Sequence, residues 1–264
     1  MKGMAGEFNF RLMPRRGKRQ SQLMMNAPVE FAPWLGVFET LRVVEGKPLF
    51  FAEHRAELGR AMEALGLKSD IDFASEAPKL PMKSGRWRWI VTAEQTRTLF
   101  TEEESFVHEP VALSVSPVRV GSCNWDARFK TVSYLSHAQA WKTATTPEVV
   151  LLNEHGHIAS ASRGNIFWRR GEKLFTPAHE AGCRCGVVRA FVLDRQKVET
   201  GHFPLGDLLE ADEIFVTNSM KGIVSVNRYA DRTFDSFPLA TALREMYAHE
   251  VSLRLQNRLP IDRW

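Results

Sequence analysis

Residues 182–189 read Gly182-Cys183-Arg184-Cys185-Gly186-Val187-Val188-Arg189. Two glycines flank a short loop, and 187–197 reads as the helix it opens. Main-chain N–H groups at a helix start attract anions, and glycines let a phosphate approach. Taken alone, the loop is better read as a structural turn, so its meaning rests on what surrounds it.

Outward from the loop, hairpins alternate with helices. Upstream, 37–44 and 49–51 read as strands joined through Glu45-Gly46-Lys47-Pro48. A helix over 52–65 follows, with Gly66 at its C-cap. Alternation of Trp87, Trp89 and Val91 with Arg86 and Arg88 marks a hairpin over 86–92 and 96–100. Another strand covers 111–118. Residues 121–129 are rich in turn formers and serve as the expected domain linker. A helix over 134–143 leads to strands at 148–152, 158–160, 165–169 and 173–176. Downstream of the loop come strands at 213–217 and 222–227 and a closing amphipathic helix over 239–255. Hairpins with interspersed helices predict an α+β fold rather than a regular βαβ wind. The expected division is a basic, disordered extension over 1–25, an N-terminal domain over 26–120 and a C-terminal domain over 121–264.

Composition narrows the function classes. The longest purely aliphatic run is 149–152, so no segment spans a bilayer. Three cysteines, Cys123, Cys183 and Cys185, make no disulfide framework and suit a reducing, cytoplasmic compartment. The net charge of +4 is concentrated at the start. Residues 1–25 carry six cations against Glu7, a net +5, which leaves −1 for the rest. A near-neutral body gives no support to nucleic-acid binding. Nucleotide-loop, dinucleotide, zinc-protease and nucleophile-elbow motifs are all absent. His155 and His157 flank a turn and read as surface polar residues, so no metal is expected.

Other strings give the loop its weight. Phe129-Lys130-Thr131-Val132-Ser133-Tyr134 is followed about 30 residues later by Ile158-Ala159-Ser160-Ala161-Ser162-Arg163-Gly164-Asn165-Ile166-Phe167-Trp168. Ile214-Phe215-Val216-Thr217-Asn218-Ser219 comes after the loop, and Gly36-Val37-Phe38-Glu39-Thr40-Leu41-Arg42 and His54 stand upstream. In that order, over 36 to about 230, these strings resemble the class IV aminotransferase family, the fold-type IV pyridoxal-phosphate enzymes. Among its members, 217–226 looks most like the 4-amino-4-deoxychorismate lyase branch. The resemblance implies a two-domain D-amino acid aminotransferase-like fold, an active site between the domains and a homodimer.

It also implies roles. Lys130 matches the lysine that condenses with the aldehyde of pyridoxal 5'-phosphate and later moves the substrate proton. Tyr134 matches the tyrosine near the cofactor's phenolic oxygen. Val187 and Val188 match main-chain donors to the phosphate, and Asn218 and Ser219 match the second phosphate-side turn. Phe38 and Thr40 would face an amino acid-like small-molecule substrate, with Lys221 as partner of its carboxylate. Arg86, Arg88 and Arg97 are on one hairpin that could reach a dicarboxylate.

Three positions depart from the family, one of them Val188, where a threonine is common and the hydroxyl is lost while the main-chain donor stays. The family's acidic partner to the pyridine nitrogen falls on Ser160, which can hydrogen-bond a neutral nitrogen but cannot hold the charge. That should hurt transamination more than β-elimination. The family's phosphate-binding arginine falls on Glu57, with Arg60 one turn on as the expected substitute and Arg189 as a second candidate. Three readings follow: a pyridoxal-phosphate lyase forming 4-aminobenzoate and pyruvate in the folate pathway, an aminotransferase of branched-chain or D-amino acids, and a catalytically lapsed relative acting as a binding protein.

Overall fold

A computed structural model describes residues 35–103 and 109–256. The extension over 1–25 lies outside the described residues. The first unit is an antiparallel sheet of β1 (Gly36–Val44), β2 (Lys47–Pro48), β3 (Gly85–Thr92) and β4 (Thr96–Glu102), in the order β2-β1-β3-β4. Period-two alternation sends Val37, Leu41, Trp87, Trp89 and Val91 to one face. There they meet Phe51, Leu58, Ala61 and Leu65 of helix α1 (Phe51–Leu65) and Phe73 of α2 (Phe73–Glu76). Trp87 and Trp89 are therefore core residues, at ring distances of 5.2 Å (Trp89–Phe51) and 5.0 Å (Trp87–Trp89). Arg86 and Arg88 take the opposite face.

The expected strand over 49–51 does not form. Phe50 turns into the left-handed region (φ 54) and caps α1 instead. Its ring leaves the small sheet's core and stacks on Tyr247, 5.3 Å away. Burial there outweighs the local cost of a positive φ.

The second sheet contains β5 (Val111–Val120), β6 (Glu148–Asn153), β7 (Ile158–Ala161), β8 (Asn165–Arg170), β9 (Lys173–Pro177), β10 (Val198–Gly201), β11 (Glu213–Asn218), β12 (Gly222–Tyr229) and β13 (Arg232–Thr233). Its order is β10-β9-β8-β11-β12-β5-β6-β7, with β13 on β12. Isolated bridges from Ala161 to Gly164 and from His157 to Pro204 bring the β7 end back toward β8 and β10, so the sheet curls. Ile158, Ile166, Trp168 and Ile214 fill the inside of the curl. Phe167 and Phe215 point the other way, under α5 (Val187–Leu193) and α6 (Pro238–Leu255). Short helices α3 (Trp125–Arg128) and α4 (Leu135–Lys142) cover a third cluster around Leu151 and Ala159.

Two boundaries differ from expectation. β5 pairs in parallel with β6 and β12, so the larger sheet begins at Val111 and the passage between sheets precedes 120–121. Helix α5 stops at Leu193, not 197, because Val198–Gly201 leave to pair with β9. Among the described residues, no helix is long and apolar enough to cross a membrane.

Candidate active site

The segment after α3 runs beside β1. Phe38 N–H donates to Lys130 O (2.7 Å) and Val132 N–H to Gly36 O (2.9 Å). This pairing ties the segment after α3 to β1 and fixes where the Lys130 side chain starts. Its ammonium donates to both oxygens of Glu39, at 2.9 and 3.0 Å. Glu39 is buried, and His54 Nδ1 lies 2.8 Å from its Oε2. Thr40 N–H also donates to that oxygen, at 2.9 Å. Burial alone would raise the Glu39 pKa. The Lys130 and His54 charges, with their hydrogen bonds, outweigh it and bring the carboxyl from 4.5 down to about 2.

The glycine-flanked loop is held from below. Asn165 Nδ2 donates to Arg184 O at 2.8 Å. A Cβ at Gly186 would come within 2.3 Å of Asn165 Oδ1, so only glycine admits this contact. Arg184 reaches back over the loop. It lies 4.8 Å from the centre of the Tyr134 ring and donates to its hydroxyl. Tyr134 in turn donates to Ser162 O (3.2 Å), stacks on His137 (4.4 Å) and meets the edge of Phe38 (5.6 Å). Burial, then the Arg184 charge, push the His137 pKa down to about 2, so it is a neutral ring. Lys130, Glu39, Glu57, Arg184 and Gly186 line one cavity.

Lys130, Tyr134, Phe38 and the loop thus lie close together. Val187 and Val188 bury their side chains against Phe167 and Phe215, which leaves their main chain at the loop. Ser160 pairs across with Leu151, on the side that Ala127 and Ala140 cover. It is 1% exposed and its hydroxyl has no partner. Asn218 accepts Met220 N–H (3.1 Å) and Lys221 N–H (2.8 Å), shaping the turn that holds Ser219 and Lys221. A Cβ at Gly164 would come within 2.3 Å of Thr217 O, so this turn abuts the 161–165 turn. Thr40 faces Arg88 across β1 and β3.

Arg60 does not reach the cavity. It is exposed on α1 and pairs with Glu57. Arg189 is buried and donates to Pro177 O at 3.0 Å. Of the hairpin arginines, Arg86 pairs with Glu103 (2.9 Å) and Arg97 with Gln95 (2.8 Å). Arg88 alone turns to the site, 5.2 Å above the Phe38 ring. Burial, then repulsion from Arg86, lower its pKa.

Sequence reasoning missed the Glu39–His54 pair and Arg184. Glu39 and His54 are 15 residues apart, and only the packing of α1 on β1 joins them. Arg184 had one available signal: a cation between glycines in a loop suspected of binding anions.

Comparisons with known proteins agree with this geometry. The model of the family "Amino-transferase class IV" matches residues 36–229. The aminodeoxychorismate lyase of Bacillus subtilis (strain 168) is 28% identical over 258 residues, covering 85% of this chain and 88% of that one. Among solved structures, 4-amino-4-deoxychorismate lyase from Pseudomonas aeruginosa superposes with TM-score 0.71 at 22% identity, covering 81% of this chain and 90% of that one. The branched-chain aminotransferase of Thermoproteus uzoniensis superposes with TM-score 0.73 at 19% identity, covering 82% and 85%. With the matched region spanning both sheets, this chain belongs to the class IV aminotransferase family.

Proposed function

We propose that this chain is a pyridoxal-phosphate-dependent lyase of the 4-amino-4-deoxychorismate type, forming 4-aminobenzoate and pyruvate. The buried, unpartnered hydroxyl of Ser160 carries the reading. A buried polar atom without a partner is costly, and a ring nitrogen would satisfy it. The residues fit the cofactor at its other points too: an amine at Lys130, a phenol at Tyr134 and main-chain amides at Val187 and Val188. When bound, the cofactor supplies an aldehyde and an electron-withdrawing ring.

Lys130, released from Glu39, would supply the amine that holds the cofactor and would carry the proton at the carbon bearing the substrate's amine. Glu39 and His54 define the position from which it starts. Phe38 and Thr40 wall the substrate side, and Asn218, Ser219 and Lys221 close the far end. Ser160 would offer the ring nitrogen a hydrogen bond without a charge to hold it protonated. The weaker electron sink suits elimination, where the leaving group removes the electron pair. The Bacillus subtilis relative, similar over most of both chains, supports the same choice.

The test begins with the purified protein and pyridoxal phosphate. Borohydride should trap the cofactor on Lys130, and Lys130→Ala should abolish the trapped adduct. With 4-amino-4-deoxychorismate, pyruvate should be released. Pyridoxamine phosphate without pyruvate would make the chain an aminotransferase. Failure to take up the cofactor would make it a binding protein that has kept the fold.

A further inference from the structure

We propose that Arg184 is the anion-binding cation of this site, taking the place of the arginine that Glu57 displaces. The inference rests on the reading above, that pyridoxal phosphate binds beside Lys130.

Charge accounting within the cavity singles Arg184 out. Lys130 is matched by Glu39, and Glu57 by Arg60. Arg128, also on the cavity wall, donates to Ser122 O. Arg184 is 9% exposed, and among the described residues its guanidinium has one hydrogen-bond partner, the Tyr134 hydroxyl. A phenol offers a neutral acceptor. The nearby His137 is a neutral ring and adds no negative charge. A guanidinium this buried needs an anion to offset its desolvation. Its planar fork suits phosphate or another anionic oxygen.

The loop is built to hold that charge still. Asn165 fixes the main chain of Arg184, and the Tyr134 face fixes the guanidinium. The ligand is therefore an anionic oxygen of the bound cofactor, either on its phosphate or on its ring.

Equilibrium titration of the wild type, Arg184→Leu, Arg184→Lys and Arg60→Leu with pyridoxal phosphate and with pyridoxal tests this. Binding is read by absorbance and by borohydride trapping, and folding by near-ultraviolet circular dichroism. Arg184→Leu should bind pyridoxal phosphate at least tenfold more weakly, Arg184→Lys should recover part of the loss, and Arg60→Leu should match the wild type. Unchanged pyridoxal affinity in Arg184→Leu assigns the contact to the phosphate. An equal loss for both ligands assigns it to the ring oxygen. A folded Arg184→Leu with wild-type affinity for both overturns the proposal. So does an Arg60→Leu defect that equals or exceeds that of Arg184→Leu. If the wild type itself takes up no cofactor, the underlying reading fails instead.

Discussion

Glu39 carries a large share of the site's electrostatics. It is buried, and it keeps its negative charge only because Lys130 and His54 face it. A carboxyl held below its ordinary pKa contributes stability that is fully present above about 4.5 and lost as pH falls through about 2. Glu39→Gln should remove that acid-side dependence. It should also destabilise the fold by roughly 3 kcal/mol at neutral pH, since one partner of a buried pair is lost. Thermal melts of both proteins from pH 7 down to pH 2 would show it, and parallel curves across that range would refute it. Lys130 was legible in the sequence as an amine in a recognisable string. Its partners were not, because they come from a strand and a helix that only packing brings together.

At the scale of an element, the loop over 182–186 shows how little local propensity decides. The glycines predict a turn, and a turn forms, but its conformation is set by Asn165 on β8. Gly186→Ala would drive a methyl into Asn165 Oδ1. The expected result is a loss of about 1–3 kcal/mol in stability and at least tenfold weaker cofactor binding, measured by denaturant unfolding and titration. A pairing of Gly186→Ala with Asn165→Ala should recover part of the stability and little of the binding. Most strands and helices were readable from alternation and caps. Residues 49–51 and 194–197 were not, since tertiary burial of Phe50 and pairing of β10 overrode the local pattern.

At the scale of the whole molecule, the C-terminal helix clasps the small sheet's edge. Tyr247 stacks on Phe50 and meets the edge of Phe191 (5.2 Å), Arg254 pairs with Glu53 (2.7 Å), and Lys47 donates to Leu255 O (2.7 Å). Tyr247→Ala should cost about 3–5 kcal/mol by opening a cavity at this junction. It should also loosen the site, because α1 carries both Glu53 at the clasp and His54 at Glu39. A calorimetric melt alongside cofactor titration measures both, and a melting temperature within a degree of wild type would refute it. The sequence by itself determined most of the hairpins and helices and the family, since these depend on periodicity and short ordered strings. Only the tertiary structure decided which charges meet across elements: Lys130 with Glu39 and His54, and Arg184 with a phenol. Ion pairing depends on distances across folded elements, and no spacing along the chain encodes those distances.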